Sequence, residues 1–365
     1  MQTFQPARLT ALRCIEEMTA KELAVKLGVT PASVSHWEAG RTIPSVAMAH
    51  QLKLIFAVPS DFFFEPLEPA PASDEAWYRA RARVPARVKK RVLWLGTLFK
   101  ESIENCEDLG LVKVRPHRTP NLKDLDPTAA ATVVREQLGL YPHQPIGNMI
   151  QILEHYGIWV HELAEDESDL IDAFAVWFEG RPMVFLNPSK ADPFRARFNG
   201  AHEFRHITSH EHVEPKGPEH KAQENDANAF AAELLVPLEA WLKEAPRRSP
   251  TNPFVYLRHK AKWGVSIAFL MRRSHTAGIL SKQAYTSACV RYSKARMRRG
   301  EPILRGSQPP YEAPTLMRDV LSATGMDTAE LAELMSYGNW LGGEVFGLGG
   351  GAGVEVAPGR VLRLA

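Results

Sequence analysis

The chain has 365 residues, a formal net charge of +2, 45% apolar residues and 24% charged residues, proportions of a globular protein long enough for two or three cores. Three scattered cysteines, Cys14, Cys106 and Cys289, exclude a disulfide framework and a cysteine-based metal site, and they fit a reducing compartment. The opening residues lack the charged-then-apolar layout of a secretory signal and no apolar run approaches the ~20 residues of a membrane helix, so a cytoplasmic protein without a membrane partner is expected.

Residues up to about Phe64 read as short helices joined by tight turns. Thr19 is placed to cap a helix holding Glu22, Leu23, Ala24 and Leu27; Gly28-Val29 makes a turn; Thr30-Pro31 supplies the cap and first-turn proline of the next helix, ASVSHWEAG. Leu23, Ala24, Leu27, Val29, Val34 and Trp37 are the expected small core, holding two helices at the angle a major groove requires. A helical bundle for protein contact is the competing reading. The stretch ELAVKLGVTPASVSHWEAGRTIPS, with the following helix ending AVPSDFFF, resembles the XRE-type helix-turn-helix family. That resemblance makes Pro31 to Ala39 the recognition helix of a DNA-binding module over residues 7–64. It turns Ala32, Ser33, Ser35 and His36 to the groove and Arg41 and Lys21 to phosphates. These groove-facing side chains are short, and Ala20 stands where the family often has a phosphate-binding Gln. Pairing strengthens such a module, so a homodimer is an open expectation.

The segment EPLEPAPASDE, with Pro66, Pro69 and Pro71, forbids regular helix and marks a boundary. A basic run follows at Arg79, Arg81, Arg83, Arg87, Lys89, Lys90 and Arg91 with no acid between, read as a solvated face or a phosphate-contacting linker. Val88, Val92, Leu95 and Phe99 recur at helical steps, so Trp77 to about Leu109 is expected to be helical. RPHRTPNLKDLDP is a further linker. From Thr128 the pattern mixes: ATVVREQLGL and IGNMIQILEHYG read as helices, and IWVHEL, DAFAVWF and PMVFLNP as strands with Gly180 in the last turn. Asp192-Pro193 starts a helix running through His206, another spans about Lys221 to Val236, and the order suggests an α+β domain. Beyond Pro237 the chain is again helical, with a capped start at Asp327. The glycine-rich GGEVFGLGGGAG lacks a phosphate-loop ending and is expected to be a flexible tail.

Within the first of those two helices, His202-Glu203-Phe204-Arg205-His206 matches H-E-x-x-H. Histidines four apart share a helix face and can offer two nitrogens to one ion at ~2.1 Å. Glu203, turned ~100° round the axis, stands beside the ion as a general base and acid. A third ligand from the second helix would leave one position open for water. Glu224 is the candidate, with Asn228 one turn on to hydrogen-bond a ligand. Asp226 is the rival, and Glu233 lies too deep in the apolar part of the helix. His210 extends the histidine stripe, while His212 and His220 fall in the polar loop HEHVEPKGPEH, where one of them could stabilise an oxyanion.

Taken together, Arg181 to His206, Glu224 to Pro237 and Lys262 to Leu280 resemble three blocks of the ImmA/IrrE family of metallo-endopeptidases. The third of them is a helix-turn-helix-like stretch, and the likeness covers roughly Asp172 to Glu301. The resemblance implies a Zn2+ cofactor held by His202, His206 and Glu224, with Glu203 catalytic. It also implies a multidomain chain: an all-α helix-turn-helix domain, an α+β zincin-like metallopeptidase domain and a helical C-terminal region. Expected boundaries are 1–66 for the DNA-binding domain, 67–125 for a linker with a basic helix and 126–240 for the peptidase. A helical, helix-turn-helix-like region at 241–300 and a C-terminal helical region and tail at 301–365 complete the division. The partners implied are operator DNA and a protein substrate, an XRE-type repressor whose cleavage regulates transcription. The family usually reads H-E-L-G-H, and here Phe204-Arg205 replaces Leu-Gly, so Arg205 must be accommodated or point to solvent. That departure sustains an alternative: an antitoxin-like DNA-binding regulator whose zinc or sensor domain cleaves nothing.

Overall fold

The structure is a computed structural model, and it describes residues 3–71, 77–79, 85–114, 116–163, 173–186, 193–209, 217–298, 300–304 and 312–347. The chain begins as four helices: α1 (Pro6–Ile15), α2 (Ala20–Leu27), α3 (Pro31–Glu38) and α4 (Val46–Phe56). Their ends follow local chemistry. Thr19 and Glu22 form a reciprocal capping box on α2, Thr30 accepts from Ser33 N–H at the start of α3, and Ser45 does the same for Met48 on α4. Gly28 ends α2 at φ +65°, a conformation that glycine adopts without a Cβ penalty. Leu23, Ala24, Leu27, Val34 and Trp37 are buried together as expected, while Val29 is only partly so. Arg13 and Glu38, 2.5 Å apart, tie α1 to α3.

Strand β1 (Trp77–Arg79) and helix α5 (Ala86–Asp108) come next. The expectation of helix from Trp77 is therefore corrected: three extended residues pair with a strand almost a hundred residues away before the helix begins. The segment expected as a linker thus holds α5, whose Val88, Val92, Leu95, Leu98, Phe99 and Ile103 are all buried. After α6 (Pro127–Gln137) and α7 (Met149–His155) come β2 (Trp159–Glu162), β3 (Ala173–Phe178) and β4 (Arg181–Leu186). The sheet order is β1-β3-β4-β2, with only the β2–β4 pair parallel.

The period of two along these strands sorts side chains to two cores. Phe174, Val176, Phe178, Met183, Phe185 and Trp159 face a core shared with α1–α5. Ala173, Ala175, Val184, Leu186 and Val160 face a second core. On the first side, α5 reaches the sheet at Gly96, where an added Cβ would stand 2.5 Å from the Phe178 ring. On the second side, the small Ala173 and Ala175 let α8 (Pro193–Ser209) lie close, and α9 (Gly217–Leu235) packs upon α8.

The remaining helices are α10 (Leu238–Glu244), α11 (Leu257–Trp263), α12 (Ile267–Thr276), α13 (Lys282–Lys294), α14 (Leu316–Thr324), α15 (Thr328–Leu334) and α16 (Asn339–Phe346). The capped start at Asp327 is present, as a capping box with Glu330. The glycine-rich tail is corrected at its beginning: Gly342 to Phe346 are helical, and Gly342 sits where a Cβ would meet the Ala332 methyl at 2.5 Å. Residues 348–365 lie outside the described residues.

The C-terminal helices return to the N-terminal ones. Trp340 Nε1–H donates to the Phe56 carbonyl at 2.6 Å, and the Tyr337 hydroxyl donates to Glu101 at 2.7 Å. Glu101 also pairs with the buried Arg8. Arg91 meets Glu344 at 2.5 Å, and His161 Nε2 lies 2.9 Å from the Val345 carbonyl. No helix among the described residues is long and apolar enough to cross a membrane.

Candidate metal centre and nucleic-acid face

Helix α8 carries His202 and His206 one turn apart, and packing against the sheet leaves both fully buried. Their rings stand 4.8 Å apart between centroids, with Nε2 atoms 3.0 Å from each other. Glu224 reaches in from α9: one carboxylate oxygen lies 3.2 Å from His206 Nε2 and the other 3.6 Å from His202 Nε2. Four ligands at ~2.1 Å from one ion in a tetrahedron stand about 3.4 Å apart, so these three donors already have the mutual spacing of such a set. Two imidazole nitrogens and a carboxylate at this range would repel as lone pairs unless a proton or cation lay among them. The donor set therefore fits a zinc-type ion, with two nitrogens fixed by burial and an oxygen on the more exposed side.

Burial raises the Glu224 carboxyl, but hydrogen bonds and charge from His202 and His206 outweigh it and hold the group well below the usual carboxylate range. Glu203, next to His202, is buried with 1% exposure. Asn228 is half-buried on α9. His220 is not in a loop as expected: it sits in the first turns of α9, one turn before Glu224. His210 and His212 lie outside the described residues.

Arg205 does not point to solvent, nor does it enter the metal centre. Its Nε lies 2.6 Å from Asp226 and its Nη2 3.2 Å from the other carboxylate oxygen. Nη2 also donates to the Leu125 carbonyl at 2.7 Å, and Nη1 donates to the Leu122 carbonyl at 3.1 Å and to the Ser209 hydroxyl. The plane of the guanidinium also lies over the Phe230 ring. Such a bidentate, charge-assisted pair fastens α8 to α9 and engages Asp226, the rival ligand, with Arg205. Glu233 is committed too, to Arg273 and to the Leu238 N–H at 2.9 Å.

A residue that motif and spacing did not flag also holds the helix. Arg197, buried on α8, pairs with Glu312 at 2.9 Å and donates to Ile146 and Gly264 carbonyls. Burial lowers the guanidinium's pKa and raises that of the Glu312 carboxyl, each opposed by the charge of the other. Nothing local to either residue signals a partner more than a hundred positions away.

On the N-terminal helices, Ala32, Ser35 and His36 lie exposed on α3, with Lys21 exposed on α2 and Arg41 just beyond α3. Ser33 is half-buried, and its hydroxyl lies 2.9 Å from that of Thr30 within the cap, so this side chain is engaged locally. No acid stands among those six positions.

Residues 153–275 match the model of a peptidase family described as the IrrE N-terminal-like domain, and residues 9–63 match one described as helix-turn-helix. The chain thus carries the two modules in the order its motifs suggest. No curated protein and no solved structure matches it.

Proposed function

We propose that the chain is a zinc-dependent endopeptidase that regulates transcription, holding its metal through His202, His206 and Glu224. The observation that carries this reading is the convergence of two imidazoles and a carboxylate from separate helices at 3.0 to 3.6 Å, inside a peptidase-family match. A zinc ion held there would supply Lewis-acid activation of water and of the scissile carbonyl. Glu203 takes the proton of the attacking water and hands it to the leaving amine. Its burial beside the histidines keeps competing water away and lowers the cost of that transfer. The substrate we assign is an XRE-type repressor, with the helix-turn-helix module of residues 9–63 holding the enzyme at the operator that repressor occupies. Lys21 and Arg41 would contact phosphates, and Ala32, Ser35 and His36 would meet base edges, while Ser33 stays engaged in the cap with Thr30.

The alternative of an antitoxin-like regulator with a non-cleaving metal domain drew its strength from Arg205. Since that side chain is held by Asp226 and two backbone carbonyls, it leaves the histidine pair clear. The test compares metal content with cleavage of candidate repressors. Glu203→Gln should retain one zinc per chain and lose at least a hundredfold in cleavage rate, whereas His202→Ala should lose both. Undiminished cleavage by Glu203→Gln would dispose of the protease assignment.

A further inference from the structure

Between Ala245 and Gly300 the chain has thirteen Lys and Arg and not one Asp or Glu. With a net charge of only +2 overall, the rest of the molecule is acidic, so this segment concentrates the positive charge. Part of it is neutralised from outside: Lys260 pairs with Glu301, Lys262 with Glu244 and Arg273 with Glu233. Arg258, Arg272, Lys282, Arg291, Lys294 and Arg296 are exposed, and among the described residues none of these six pairs with a carboxylate.

The local architecture repeats that of the N-terminal module. Helix α11 ends at Gly264 with φ +63°, Ser266 caps α12 through Phe269 N–H, and α12 then runs forward, as Gly28, Thr30 and α3 do. The two differ in how far the second helix is sunk. Ile267, Leu270, Met271, Arg273 and Ser274 are buried, so α12 cannot enter a groove. Its N-terminus is closed to an anion as well, because Glu301 accepts from Ile267 and Ala268 N–H at 2.7 and 3.0 Å. What remains outward is the flank of α12 at Arg272 and the exposed face of α13. There Gln283, Ser287, Arg291 and Lys294 recur at helical steps with only amide, hydroxyl and cationic groups. The Arg272 guanidinium lies over the Tyr285 ring of α13, so the two helices present one continuous basic surface.

We propose that this α12–α13 surface is a second DNA contact that grips the phosphate backbone of a duplex without reading its sequence. Hydroxyl and amide donors interleaved with cations are the groups that position proteins on phosphates. An interface for an acidic protein would instead need large buried anchors, and Val290 is the only large apolar side chain exposed on α13. The surface is also firmly mounted. Arg197 on α8 donates to the Gly264 carbonyl in the α11–α12 turn, and Phe269 meets Phe198 of α8 at 5.7 Å between ring centroids.

The experiment measures anisotropy of a labelled random-sequence 20-base-pair duplex with the full chain across a salt series. It compares wild type with the quadruple variant Arg272→Ala, Lys282→Ala, Arg291→Ala, Lys294→Ala, each with and without Arg41→Ala. In both backgrounds the quadruple variant should lose about tenfold in affinity at 100 mM salt, and its log–log salt slope should fall by about 3. Charge-conserving exchanges at the same four positions (Arg to Lys, Lys to Arg) should bind within about twofold of wild type, which separates charge from folding. Unchanged affinity and slope would overturn the proposal. So would an unaffected duplex together with lost binding of a labelled polyglutamate peptide, the mark of an acidic protein partner.

Discussion

At Arg205, where the chain departs from the family pattern, the side chain is taken up by Asp226 and two backbone carbonyls. A guanidinium this deep is tolerable because every face of it meets an acceptor or a ring. Removing it takes the paired guanidinium from Asp226 and a donor from each of two carbonyls. Arg205→Met should therefore lower unfolding free energy by about 2 kcal/mol in urea titration, less than a fully buried pair costs when broken, because Asp226 is 26% exposed. Adding Asp226→Leu should recover most of that loss, and zinc content should be unchanged in both variants. A parallel loss of zinc would mean that Asp226 belongs to the metal centre after all.

Among the elements, β2 and α16 are joined by the hydrogen bond from His161 to Val345, and burial depresses the imidazole to about 4, against backbone hydrogen bonds that favour its charged form. The ring is neutral in the fold, while in the unfolded chain it takes a proton below about 6.5. The stability it confers is thus complete above pH 6.5 and lost as the pH falls through 4, about 3 kcal/mol in all. His161→Gln, which keeps an N–H donor but cannot titrate, should flatten the stability profile between those values in denaturant melts. The sequence displays its elements unevenly for a physical reason. Caps such as Thr19 with Glu22 and Asp327 with Glu330 act within one turn, so helix starts are legible residue by residue. Strand β1 is three residues whose partners lie in β3, and α16 contains Gly342, which its packing on Ala332 of α15 explains. Neither cause is local. Helical spacing points to a pair of histidines and to Glu224 ahead of Asp226, but nothing local to α8 signals that Arg205 reaches Asp226 on α9.

Taken whole, the molecule is closed by residues 312–316. Glu312 pairs with Arg197 on α8 and accepts from Met149 N–H at 3.0 Å, while Glu154 on α7 accepts from Thr315 and Leu316. From there α14–α16 run to the N-terminal helices. Glu312→Leu should cost about 3–5 kcal/mol by stranding a buried guanidinium. Arg197→Met together with Glu312→Leu should restore much of it in the same melts. If the single variant is no less stable than the double, the segment is a passenger and not a fastening.

The sheet, with a hydrophobic core against each face, behaves as a party wall between the N-terminal helices and the part of the chain that carries the histidine pair. A party wall cannot be sold with one house. Residues 126–240 expressed alone would bare Phe174, Val176, Met183 and Phe185 to water, so the peptidase half should precipitate as an isolated cassette. The same wall couples the two halves: whatever shifts α5 must also press on the strands against which α8, the helix of the two histidines, is packed.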